Sequence, residues 1–131
     1  MKFKYKKYSP IILRPVIPIT LEYKGVAVDY EVLVDSGADG NILDAEIADL
    51  LGIDLETGDK AQVSGITGIS EPYYIHKINL IVGGHKFQDI RIGFLKKIGQ
   101  YGYGVVGQKG FFDLFKVKFE LLKEEIEIKP Y

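Results

Sequence analysis

The chain has 131 residues, a formal net charge of −1 and no cysteine. That length fits one domain with a real core, though oligomerisation would help a body this small. The near-neutral balance gives no general pull toward nucleic acid or an anionic membrane, and the lack of cysteine excludes disulfides, a thiol nucleophile and thiolate metal sites.

Residues 1–15 begin with the basic run MKFKYKKY. The apolar stretch after it is broken by Pro10, Arg14, Pro15 and Pro18, unlike a signal peptide, and no run approaches the length of a membrane span. The expectation is an N-terminal arm, its lysines solvated, on a soluble cytoplasmic protein. Val16–Tyr23 and Val26–Val34 read as two strands of a hairpin turned at Lys24-Gly25. The second strand alternates at Val26, Val28 and Tyr30, then becomes continuously apolar, as a strand does on entering a core.

That strand ends in Glu31–Ala38, EVLVDSGA. An acid at the end of an apolar strand is costly to bury unless something pairs with it or uses it. Gly37 permits a tight bend and close approach of another backbone. The elbow therefore presents a carboxylate, Asp35, on a rigid support. Asp39 before Gly40 also suits ordinary turn chemistry. Asp44 is expected to cap a short helix, AEIADLL, ended by Gly52, with Ile47, Leu50 and Leu51 on one side.

Ile53–Lys60 reads as a loop, and Ala61–Ile75 as a hairpin with Gly65-Ile66-Thr67-Gly68 at its tip. Ile78–Val82 and Lys86–Ile92 pair around Gly83-Gly84-His85. Phe94–Tyr103 reads as a loop, Val105-Val106 as a short buried strand, and Phe111–Phe115 as no more than about one helical turn. Val117–Leu122 and Ile126–Ile128 close the chain as a hairpin through Lys123-Glu124-Glu125. Strand signals at this spacing predict a mostly β fold, a small closed or partly open barrel or a sandwich with one short helix. A loose echo links VLVDSGA and its helix to GVVGQKGFFDLF. Gly102–Gly107 formally matches GxGxxG, but the full helix and the acid of a dinucleotide site do not follow. His76 and His85 lack metal-ligand spacing, so neither a metal nor a cofactor is expected. Lys96-Lys97 read as solvated surface, and Tyr101 and Tyr103 as cover for the barrel end.

Asp35–Ala38, DSGA, then Val105-Val106-Gly107, and between them the Gly-bearing hairpin around Gly65–Gly68, occur in an order and spacing that resemble the retropepsin-like aspartic proteases. The resemblance spans nearly the whole chain, as a single domain over residues 1–131 with residues 61–75 as the flap. It implies a small acid-protease β-barrel with one catalytic motif per chain. The implied activity is that of an aspartic endopeptidase. Two carboxylates within a few Å cannot both ionise, so a pair holds one proton; one acts as general base on a water while the other polarises the scissile carbonyl. One DSG per chain implies a homodimer, with Asp35 of each copy meeting on the two-fold axis.

The resemblance also assigns roles. Asp35 is the catalytic carboxylate. Ser36 hydrogen-bonds across the axis; with Gly37 and Gly107 it supports the elbow. Gly37, Ala38 and Asp39 meet the substrate backbone, and Ile66, Thr67 and Gly68 close over it. Ile42, Ile69 and Val105 are expected as apolar subsite walls. The implied partner is a peptide or unfolded protein, with no nucleic acid, membrane or metal. Two features depart from the family. Gln108 stands where retroviral members often carry an Arg that pairs with the acid matching Asp39, so a charge-assisted bond is lost. The C-terminal stretch KVKFELLKEEIEIKPY is longer than a short retroviral tail. The alternative is a protease-fold binding or assembly module without turnover.

Overall fold

A computed structural model describes residues 1–64, 70–96 and 102–131. The arm over residues 1–15 contains three short strands: β1 (Lys2–Lys4), β2 (Lys6–Ser9) and β3 (Ile12–Arg14). β2 and β3 form a small hairpin of their own. Phe3 and Tyr5 alternate with lysines and pack against the core, which fixes β1 to the body.

Two strands follow with the predicted bounds, β4 (Val16–Tyr23) and β5 (Val26–Val34). Lys24 and Gly25 both have positive φ, 46° and 83°. That backbone matches the right-handed twist of the flanking strands. Next come β6 (Asn41–Asp44), helix α1 (Ala45–Leu50), β7 (Asp59–Ser64), β8 (Ser70–Val82), β9 (His85–Leu95) and β10 (Gly104–Val106). β6 is a strand the sequence reading did not identify. β8 and β9 run longer than predicted and turn at Gly83-Gly84, again with positive φ at both residues.

The sheet order is β4-β5-β10-β6-β9-β8-β7, and β8 also pairs with β4. That last pairing closes the barrel, so of the predicted closed or partly open forms the closed one is found. β7 lies outside the ring, on the flank of β8. Two pairings are parallel, β10 with β5 and β6 with β9. Alternate side chains on each strand point inward: Ile17, Ile19 and Leu21, Val32 and Val34, Ile78, Leu80 and Val82, all buried.

The helix begins where Asp44 accepts a hydrogen bond from the Glu46 amide at 2.8 Å. Its buried face differs from the predicted one. Ile47, Ala48 and Leu51 are buried and Leu50 is 56% exposed. At about 100° per residue, Ile47, Leu51 and Ala48 share one narrow arc and Leu50 falls outside it. The Phe111–Phe115 segment is a series of turns rather than a helix. Phe112 and Asp113 donate back to the carbonyls of Gly107 and Gln108, and Phe115 donates to Phe111.

β11 (Phe115–Glu120) and β12 (Glu125–Pro130) form the final hairpin, and β1 pairs on the other side of β12. Met1 and Ile128 exchange hydrogen bonds through the N-terminal amine and main chain, at 2.9 and 2.8 Å. The outer face of this three-stranded sheet carries ion pairs, among them Lys4–Glu125 at 3.1 Å and Lys129–Glu127 at 3.3 Å. Hydrogen bonding from Lys129 holds the Glu127 carboxyl below its ordinary range. Exposed pairs of this kind contribute little to stability; the inner face does more, through Ile126, Ile128 and Phe115.

Phe111 is fully buried, its ring 5.7 Å from Phe112 and 5.0 Å from Phe115. Phe111→Ala is expected to cost about 3–5 kcal/mol, read as a drop in urea midpoint at unchanged slope. A loss well under 1 kcal/mol would mean that this aromatic group does not hold the 107–115 turns to the barrel.

Candidate active site

β5 ends against two other segments. The Val34 amide donates to the Pro15 carbonyl and the Asp35 amide to the Val106 carbonyl, both at 3.0 Å. The chain then bends sharply, and the Ala38 amide returns to the Asp35 carbonyl at 3.1 Å. The Asp35 carboxylate accepts the Gly37 amide on Oδ1 at 2.9 Å, an Asx-type turn that fixes the side chain to its own elbow. Asp35 is half-buried, while Ser36, Gly37 and Asp39 are exposed.

Residues 107–110 cross this elbow. The Gln108 amide donates to the Ala38 carbonyl at 2.9 Å and the Lys109 amide to the Asp39 carbonyl at 3.0 Å. The Gln108 side chain donates to the Ser36 carbonyl at 3.1 Å, so its amide braces the elbow rather than Asp39. Gly107 is buried, and a Cβ there would lie 2.7 Å from the Gly40 carbonyl oxygen and 2.8 Å from the Ala38 carbonyl carbon. Only glycine allows the two segments to lie this close.

The sequence reading missed Asn41. It is the buried polar residue among those described, 4% exposed. Its Oδ1 accepts the Gly107 amide at 3.0 Å and its Nδ2 donates to the Gly110 carbonyl at 3.1 Å. The available signal was a lone amide side chain opening the apolar run Asn-Ile-Leu.

A cleft of about 1010 Å³ opens beside the elbow. Gly37, Ala38 and Asp39 line it, as do Ile42 and Val105. Ile75, Ile90, Leu95 and Leu114 add apolar surface the sequence reading did not name. Tyr73 of β8 lies close against Gly93 of β9, where a Cβ would meet the ring at 2.8 Å. Charges of both signs ring the cleft: Asp39, Asp89 and Asp113 with Arg91 and Lys109. Asp35 and Ser36 are not part of its lining. Ile66, Thr67, Gly68 and Ile69 lie outside the described residues; β7 and β8 pair as far as Ser64 opposite Ser70 on either side of them.

Two further candidates, His76 and Tyr103, make structural contacts. His76 lies 2.8 Å from the Leu55 carbonyl through Nε2 and against Phe94. Among the described residues no group of three or more His, Asp or Glu is arranged to hold a metal ion, and no helix is long and apolar enough to cross a membrane. Tyr103 is buried and its hydroxyl accepts from Arg14. The Arg14 guanidinium also lies over the Tyr8 ring, 5.6 Å from its centre. This ties the β2–β3 hairpin to the segment leading into β10. Desolvation raises the Tyr8 hydroxyl above its ordinary pKa. Tyr101 and Lys97 lie outside the described residues.

The family model for aspartyl proteases matches residues 19–109, more than two-thirds of the chain. No curated protein matches the chain in sequence. Among solved structures, the chain is similar to a retropepsin-like aspartic protease from Rickettsia conorii, with a TM-score of 0.67 and 17% identity over 98% of both chains. It is also similar to EIAV protease in complex with the inhibitor HBY-793, with a TM-score of 0.52 and 18% identity over 78% of this chain and 88% of that one. With the DSGA elbow and the Val-Val-Gly segment that crosses it, the match over residues 19–109 leads to one conclusion: the chain belongs to the aspartyl protease family and has the retropepsin-like fold.

Proposed function

We propose that this chain, as a single domain over residues 1–131, is an aspartic endopeptidase that acts as a homodimer on peptides or unfolded proteins in the cytoplasm. The observation that carries this reading is the elbow itself: one carboxylate, Asp35, held at the end of a buried strand beside an apolar-walled cleft. The chain has one Asp-Ser-Gly, so a second carboxylate comes from a second copy. The two Asp35 side chains share one proton. The ionised one takes a proton from a water as it attacks the scissile carbonyl carbon, and the protonated one donates a hydrogen bond to the carbonyl oxygen. Collapse of the tetrahedral intermediate breaks the C–N bond, and the amine leaves with a proton from the dyad.

Ser36 bonds across the two-fold axis in this reading. Gly37 and Ala38 form the floor, Asp39 receives the substrate backbone, and Ile66, Thr67 and Gly68 close over it with strand-like hydrogen bonds. Ile42, Ile69 and Val105 select apolar side chains beside the scissile bond. With Gln108 in place of an Arg, the charge-assisted bond to Asp39 is missing, and the dimer is correspondingly weaker.

Purified protein is expected to cleave an unfolded peptide mixture under mildly acidic conditions. Asp35→Asn should abolish cleavage while its circular dichroism and sedimentation match the parent, and retained activity in that variant ends the proposal. Specific activity should rise with protein concentration as sedimentation shows monomer giving way to dimer. A monomer at every concentration, without cleavage, supports the non-catalytic binding module instead.

Gly107→Ala places a Cβ among the carbonyl groups of Ala38 and Gly40. Since a displacement of about 1 Å near a reacting group costs on the order of a hundredfold in rate, kcat should fall by about that factor in protein that remains folded. Wild-type kcat in Gly107→Ala would show that the elbow does not depend on this close crossing.

A further inference from the structure

We infer that Asn41 is a positioning residue for Asp35, an inference that rests on the protease reading above. Three observations support it. Asn41 is nearly excluded from solvent, 4% exposed, and among the described residues the other buried side chains are apolar save Tyr103, whose hydroxyl accepts from Arg14. Its carboxamide bonds the first and last residues of the crossing segment, accepting from the Gly107 amide and donating to the Gly110 carbonyl. That segment in turn fixes the elbow, since Val106 accepts the Asp35 amide and Gln108 and Lys109 donate to Ala38 and Asp39. Asn41 thus closes a ring of hydrogen bonds that contains Asp35 without touching it.

The chemistry of the position is specific. One end must accept from an N–H and the other must donate to a C=O, so the carboxamide can face only one way. An ionised carboxylate of the same shape has no donor and would set a negative oxygen against the Gly110 carbonyl. A protonated carboxyl restores both bonds. Alanine leaves a buried amide and a buried carbonyl without partners, the costly case. Loss of the brace frees the 107–110 turn to shift, and with it the Asp35 backbone.

Asn41→Asp and Asn41→Ala separate positioning from mere stability. Both are compared with the parent dimer at each pH between the acidic optimum and neutrality. The ionisable side chains that line the cleft with Asn41 are Asp39, Asp89, Arg91, Lys109 and Asp113, with Asp35 at the start of the elbow and Asp44 at the end of β6. All are shared with the parent, so the ratio of variant to parent kcat isolates position 41. Asn41→Ala is expected to lower kcat about a hundredfold at every pH. Asn41→Asp should come close to the parent at acidic pH and fall toward the alanine variant as pH rises and the new carboxyl ionises. Protection of the Gly107 amide from exchange, followed by NMR relative to the parent at each pH, should fall in Asn41→Ala, which removes its acceptor, and persist in Asn41→Asp, whose carboxyl accepts in either protonation state. Parental kcat with unchanged Gly107 exchange in the alanine variant overturns the inference. So does a pH-independent loss in the aspartate variant, or a loss that tracks the folded or dimeric fraction. If the parent itself cleaves nothing, the protease reading fails alone, and the exchange measurements still decide the role of Asn41.

Discussion

Two peptide amides, those of Gln108 and Lys109, donate across a gap to the carbonyls of Ala38 and Asp39, and a third, that of Asp35, reaches back to Val106. The rest of the site follows from this crossing. A carboxylate at the end of a strand is ordinarily free to swing with its loop. Here the loop is bonded at both ends to a segment some seventy residues away, and that segment is itself part of the barrel through β10. The crossing is possible only because Gly107 carries no side chain. Asn41, buried among the core, bonds both ends of the crossing segment, so burial inside the barrel is converted into orientation at the surface.

The closed barrel makes that conversion rigid. β5 and β10, which bring the two crossing segments together, are neighbours and parallel, and β10 also meets β6, the strand that follows the elbow. The elbow thus leaves one strand of the ring and re-enters two places along, around β10. Any shear of the barrel would have to break the pairings on both sides of a three-residue strand. The terminal sheet contributes differently. β1 is held by β12, so the first and last strands of the chain stabilise each other and add Ile126 and Ile128 to the core.

Much of this was legible in the sequence, for local reasons. The two hairpin turns announce themselves through Lys24-Gly25 and Gly83-Gly84, residues that accept positive φ between alternating strands. The helix start was legible in Asp44 because capping is a local bond. Leu50 was misplaced because on a helix it lies about 60° to one side of Ile47 and Ala48 about 100° to the other, and only the packing against the barrel decides which side is buried. β6 escaped notice because four residues after a polar turn carry too little alternation to separate strand from loop. Asp35, Gly37 and Ala38 stand out by motif, but Asn41 does not: an asparagine near a turn is common, and its burial depends on a partner segment sixty-six positions away. What a sequence hides most readily is a polar residue whose partners are main-chain groups, since those partners leave no trace in composition.

Gln108 also bears on how the site is assembled. An arginine at this position would bring a permanent charge to the elbow. The glutamine amide instead bonds to the Ser36 carbonyl, which strengthens the elbow from within its own chain. A neutral bond of that kind contributes about 0.5–1.5 kcal/mol and is insensitive to salt. The elbow is therefore organised within a single copy, and on the proposed reading association with a second copy need not be driven by charge. On the proposed reading the carboxylates are then aimed in the monomer and become a dyad only on pairing, so the chemistry is governed by protein concentration rather than by folding of the site.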